Sequence, residues 1–212
     1  MNIFSIFTCQ AHKDRIEFME EAWIPRDMPR DSKMYYVYGN AKEAYEDGRN
    51  LFLPCHESYE YLLDKTYHTL KYILEMDFDY FIKLDNDIHI PSLSDITQTL
   101  NSLRKNKIDF ATTYFVEESE ISRTWHYPKV PDQFRVPYKG VYPKRWAQGH
   151  CYIISKEFCI KAMQDLEKTK LHLLPTTEAV EDVVISNIMF NHKASMCEIG
   201  GLVKHIRERF LK

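Results

Sequence analysis

The 212-residue sequence contains no C-x-x-C pair. Its five cysteines, Cys9, Cys55, Cys151, Cys159 and Cys197, are odd in number and widely spaced. Such a set does not read as a disulfide framework or a zinc ribbon, and it points to a reducing compartment. No apolar run is long enough for a secretory signal or a membrane span. The opening stretch, "MNIFSIFTCQ", enters a strand-like run without a basic segment before it. A cytoplasmic location with no membrane span is expected. Charge of one sign is also lacking: 28 Lys and Arg stand against 31 Asp and Glu. That balance advertises no nucleic-acid partner. Internal repeats and low-complexity linkers are absent. What is present is a globular composition, 44% hydrophobic and 14% aromatic, of a length that suits one domain over residues 1–212 with a substantial core.

Strand-like and helix-like segments alternate along the chain. "NIFSIFT" (2–8) reads as a first strand and "HKDRIEFMEEAW" (12–23) as the helix after it. "KMYYVYG" (33–39) is a β-rich run ending on glycine, and "LFLP" (51–54) a short buried strand. Residues 57–76 form the clearest helix, with apolar residues at 59, 62, 63, 67, 70, 73 and 74 in a stripe of 3.6-residue period. "YFIKL" is the next strand, followed by a helix over 92–106 capped by Ser92 or Ser94. "IDFATTY" and "CYIIS" are further strands. Residues 116–148 read as an irregular loop region, and long ordered loops tend to be functional. Helices are expected over 156–168 and 178–191, then a short tail. The alternation predicts an α/β sandwich, a central mainly parallel sheet flanked by helices. In such sheets ligands bind at the carboxyl ends of strands.

"FIKLDNDIHI" (81–90) places acid, amide, acid at one of those ends. Asp85 and Asp87, turned toward one ligand, suit Mg²⁺ or Mn²⁺, which take carboxylate, water and phosphate oxygens. An ion so held binds a diphosphate and neutralises its charge as it leaves. The plain alternative is an Asx turn, in which Asp and Asn satisfy backbone donors.

Other segments carry a resemblance. "SYEYLLDKT" (58–66) matches S-Y-x-N-L-x-x-K-T at Ser58, Tyr59, Leu62, Lys65 and Thr66. "YPKRWAQGHCYIIS" (142–155) keeps Tyr142, Pro143, Gly149, Tyr152 and Ser155 of a Y-P…G-x-x-Y-v-l-S pattern. "EDVVIS" (181–186) carries E-D-V, and Arg15 and Trp23 echo an R…W pair near the first helix. With the D-x-D, these resemble the metal-dependent GT-A glycosyltransferases, and among them the β-1,3-galactosyltransferase and Fringe-like group, in order from about residue 8 to residue 186. The short, anchorless form is also similar to glycosyltransferase domains of large chlorella-type viruses. Departures are Tyr61 in place of an Asn, Asn86 within the D-x-D, Glu20 in place of a second arginine, and Gln148, His150 and Cys151 around Gly149. They bear on donor sugar and acceptor more than on reaction type.

The resemblance implies inverting transfer from a UDP-sugar to a hydroxyl of a glycan acceptor, with Mn²⁺ or Mg²⁺. In it Asp87 coordinates the metal, Asp85 binds ribose or the metal through water, Asn86 bonds ribose or sugar, and His205 is a third metal ligand. Lys65 would pair with the diphosphate. Its positions three and four residues away hold no carboxylate, so no helix ion pair is available. Thr8, Cys9 and Gln10, ending the first strand, would meet base and ribose, and Arg15 a phosphate. Asp182 would be the base that takes the acceptor proton; the alternative is an acidic first turn favoured by the helix dipole and capped by Thr176 or Thr177. Gly149 would let the backbone approach the donor sugar, and Trp125 and Trp146 would stack on a sugar face or fill the core. Two rivals remain. A sugar nucleotidylyltransferase needs a glycine-rich phosphate loop, and "TCQAHKDR" has no glycine. A divalent-metal carbohydrate-binding module would need no base.

Overall fold

The computed structural model describes residues 1–22, 24, 28–118 and 122–205, with only the backbone of Ala22 and His205. Among the described residues twelve strands and five α-helices follow one another: β1 (Asn2–Phe7), α1 (Lys13–Ala22), β2 (Ser32–Tyr38), β3 (Tyr45–Asp47), β4 (Asn50–Phe52), α2 (Leu62–Ile73), β5 (Tyr80–Asp85), β6 (Ile88–His89), α3 (Leu93–Lys105), β7 (Phe110–Thr112), β8 (Phe115–Glu117), β9 (Arg145–Ala147), β10 (Cys151–Ser155), α4 (Lys156–Thr169), α5 (Glu181–Asn191), β11 (Met196–Glu198) and β12 (Lys204–His205).

Eight strands form one sheet in the order β11-β7-β10-β5-β1-β2-β4-β3. β1 pairs in parallel with both β2 and β5, and β2 with β4 and β7 with β11 do the same. β10 and β3 run the other way. The expected mainly parallel α/β sheet is thus observed. β1 is buried along its whole length, as befits a strand covered on both faces. Alternate residues feed two cores. Ile3, Tyr35, Val37, Phe81, Tyr152 and Ile154 pack with α2, α4 and α5. Phe4, Ile6, Tyr36, Ile82, Leu84 and Ile153 pack with α1 and α3 on the other face.

Several expectations are corrected. The helix expected over 57–76 is α2 alone, preceded by a 3-10 turn at Tyr59–Tyr61; Tyr61, at φ −122° and ψ 34°, interrupts the helical path. The helix expected from 178 begins at Glu181 after Val180, and neither Thr176 nor Thr177 caps it. Thr176 is buried and gives its hydroxyl to the carbonyls of Tyr59 and Glu60. The loop region 116–148 contains an antiparallel ribbon of β8 and β9. The tail supplies β11 to the main sheet and β12 to β6. Ser92 caps α3 as expected, accepting from the Asp95 N–H at 3.3 Å.

Ile82, fully buried on the central strand β5, predicts a cost of about 2–5 kcal/mol for Ile82→Ala. Ser92→Ala, which removes a cap at the protein surface, is expected to cost only about 1 kcal/mol. Urea unfolding midpoints of the two variants check the order.

Candidate active site

The carboxyl ends of β1 and β5 lie side by side, with Phe7 opposite Asp85. Because β10 is antiparallel, its start reaches the same edge: Cys151 faces Leu84, and the Asp85 N–H donates to the His150 carbonyl at 3.0 Å. The N-terminus of α5 closes over that edge, bringing Asp182 to Gly149. A cavity of about 510 Å³ opens there. Asp85, Gly149 and Asp182 line it, as do Trp125 and Trp146, with Tyr59 alongside. Tyr142 stacks on Trp146 at 4.7 Å and 7° and fixes its plane.

One buried cation organises the acids. Lys83 Nζ donates to Asp85 Oδ1 at 2.6 Å and to the Gly149 carbonyl. Burial works against this ammonium, but Asp85 and Glu181, with Asp182 behind them, outweigh it and hold its pKa above the ordinary lysine value. Glu181 is buried and accepts from the hydroxyls of Thr66, at 2.9 Å, and Tyr152. Burial raises its pKa against the pull of Lys83 and of those two donors. Asp182 accepts from the Gly149 N–H at 3.1 Å on Oδ2 and from the Val183 N–H at 2.9 Å on Oδ1. Burial first, and then Glu181 beside it, push the Asp182 pKa up to about 7. Asp182 lines the cavity and is half-buried as a residue.

A second cluster lies along the β1–β5 edge. Asn86 is buried; its Nδ2 donates to Thr8 Oγ1 and reaches His12 Nδ1, both at 3.0 Å, while its Oδ1 accepts from Arg15 Nη1 at 2.9 Å. Burial, and next Arg15, lower the His12 pKa, consistent with a neutral ring accepting from the amide. Asp85 and Asn86 thus bond to side chains rather than to the backbone of their own turn. Lys65 is 2% exposed and donates to the Thr8 carbonyl at 2.6 Å. It is neither solvent-facing nor on the cavity wall; burial lowers its pKa. Cys9 is half-buried and Gln10 exposed, just beyond Thr8. Asp87 is buried at the turn into β6. β12 pairs with β6 so that the His205 backbone stands opposite Ile88, next to Asp87; the His205 side chain and Trp23 lie outside the described residues. Among the described residues no group of three or more His, Cys, Asp and Glu side chains could hold a metal ion.

The structure therefore brings Asp85, Gly149 and Asp182 into one cavity with Trp125 and Trp146, and joins Thr8, Arg15, Lys65 and Asn86 in an adjacent cluster. Lys83, Glu181 and His12 were not assigned roles from the sequence. Lys83 carried a signal: a lysine inside the apolar run "YFIKL" needs a buried partner.

The Galactosyltransferase family model matches residues 24–197. The chain belongs to the galactosyltransferase family. None of the curated proteins compared with it matches. Family membership makes this chain a glycosyltransferase acting on a sugar donor and an acceptor, and it sets the nucleotidylyltransferase reading aside. The layered sheet agrees with the GT-A fold expected of the family. Among the described residues of this family member, no helix is long and apolar enough to cross a membrane.

Gly149 has no room for a side chain: a Cβ there would stand 2.9 Å from Asp182 Oδ2 and 3.3 Å from its Cβ and Cγ. Gly149→Ala is expected to displace Asp182 and lower the transfer rate by at least about tenfold. The thermal midpoint should move by only a few degrees, since the clash is local. Steady-state kinetics beside a melting curve check both.

Proposed function

We propose that this galactosyltransferase-family protein moves a sugar from a UDP-sugar to a hydroxyl of a glycan or glycoconjugate, with inversion and with Asp182 as the general base. The observation that carries this reading is Asp182 on the cavity wall, its two oxygens held by the Gly149 and Val183 N–H groups, where burial pushes its pKa up to about 7. A general base works best with a pKa near the working pH. Each Asp182 oxygen accepts one backbone N–H and keeps a further lone pair for an acceptor hydroxyl. The two N–H donors orient the carboxylate. The Trp125 and Trp146 rings supply apolar faces on which a pyranose can stack.

The residue types at the end of β5 would suit a divalent metal, completed by a group beyond the described side chains. Asp85 and Asp87 provide oxygens only, and Mg²⁺-type sites commonly use one or two carboxylates together with substrate phosphates. Asp87 would hold the ion, with Asp85 beside it and His205 as a third ligand; when bound, the ion supplies positive charge to the diphosphate leaving group. The chain's own cations support the same end: Arg15 on the Asn86 amide and Lys65 on the Thr8 carbonyl place positive charge along the β1–β5 edge. Thr8, Cys9 and Gln10 would then meet base and ribose, so that residues toward the N-terminus serve the nucleotide and those toward the C-terminus the acceptor, within one domain.

The base acts ionised, so kcat/KM should rise with pH through about 7 and level off above it. Asp182→Asn should lower kcat by roughly 10²–10⁴-fold and leave UDP binding intact. Full transfer by that variant contradicts the base assignment. Calorimetry should show UDP binding with Mn²⁺ that disappears in EDTA and in Asp87→Ala. Failure of UDP to bind the wild type with metal present contradicts the UDP-sugar reading.

A further inference from the structure

Lys83 is 1% exposed on the central strand β5 and has no part in the transfer proposed above. Its Nζ lies 5.4 Å from the Phe7 ring and 5.8 Å from the Tyr152 ring. An ammonium offers three donors. One goes to Asp85 Oδ1 at 2.6 Å and another to the Gly149 carbonyl. The N–H of the same Gly149 donates to Asp182 Oδ2 at 3.1 Å. A single residue is therefore tied through its carbonyl to the cation that holds Asp85, and through its N–H to Asp182. Glycine leaves Asp182 undisturbed there, whereas a Cβ would press on its carboxyl group.

We propose that Lys83 is a positioning residue that locks Asp85 and Asp182 into one unit through Gly149 and supplies the positive charge against which Asp182 is set. The proposal rests on Asp182 being the base. A buried ammonium is tolerated only where charges and hydrogen bonds compensate it, and here the compensating groups are the carboxylates of the site. Asp182 is faced by Glu181 on its own helix and by Lys83 and Asp85 on β5. The phenols of Tyr59, Tyr138, Tyr142 and Tyr152 also face it, and burial holds each above its ordinary pKa, so they stay neutral. Removing the ammonium leaves Asp182 among carboxylates, which favours its protonated form. It also frees the Gly149 carbonyl and, with it, the donor that aims Oδ2.

The test is a carbon NMR titration of the Asp182 carboxyl in protein labelled at aspartate carboxyl carbons, its signal identified by its loss in Asp182→Asn. Wild type is compared with Lys83→Met. In case Lys83→Met alone does not fold, Glu181→Gln is compared with Lys83→Met/Glu181→Gln, where one carboxylate fewer surrounds the lost cation. The expected result in either pair is a midpoint raised by at least about 0.5 pH unit on losing Lys83. At pH 9, where the base is ionised in all variants, turnover should stay at least about tenfold down. A packing role alone would lower the melting temperature and leave the midpoint where it was. An unmoved midpoint in a folded pair, or full turnover at pH 9, overturns the proposal. Transfer that survives Asp182→Asn overturns the base reading instead, and the NMR comparison still reports on Lys83.

Discussion

The ammonium of Lys83 lies inside the sheet, where an uncompensated charge would cost on the order of several kcal/mol. Its compensation reaches across the chain. Asp85 is two residues away, but Gly149 comes from the turn before β10, and Glu181 and Asp182 come from the first turn of α5. The buried charge and the carboxylates around it therefore favour the same arrangement of β5, β10 and α5 that the apolar core favours. The raised proton affinities of Glu181 and Asp182 are the other side of that arrangement, since three carboxyls share one cation in a place with little water.

The sheet edge explains where the site lies. β1 and β5 end together, so Thr8 and Asn86 meet through a hydrogen bond. β10 runs against them, so the start of that strand, not its end, arrives at the edge with Gly149. The Thr8–Asn86–Arg15 cluster and the Asp182 cavity are thus neighbours along one rim, which is what the proposed transfer between a nucleotide-bound sugar and an acceptor would require. Trp125 and Trp146 are held on the cavity side by the apolar cluster around the β8–β9 ribbon, in which Val180 and Val183 of the α5 start also take part.

Much of this was legible in the sequence. The long apolar runs of β1, β2 and β5 marked the central strands, and the stripe of Leu63, Leu70 and Ile73 marked α2. The acid pair at the end of "YFIKL" lies on the same sheet edge as the cavity. Elements of two or three residues were not legible. β8, β9, β11 and β12 are too short to show a period, and they exist because partners elsewhere in the chain complete their hydrogen bonds. The start of α5 was misplaced because Thr176 has the chemistry of a cap but spends its hydroxyl on Tyr59 and Glu60. Of the site, Asp85, Gly149 and Asp182 have motif spacing in the sequence, and the structure places them on one cavity. The bond from Lys65 to the Thr8 carbonyl, 57 positions away, has no local signature either. The role of Lys83 depends on Gly149, 66 positions away, and no local pattern encodes that distance.

The proposed reaction is a single displacement in which Asp182 draws the proton from the acceptor hydroxyl as the sugar leaves its diphosphate. The most direct test is the anomeric configuration of the first product, read by proton NMR at early times with a UDP-sugar that the enzyme uses. A linkage opposite in configuration to the donor's is predicted, because one displacement inverts the carbon it attacks. A product that keeps the donor's configuration would contradict the account.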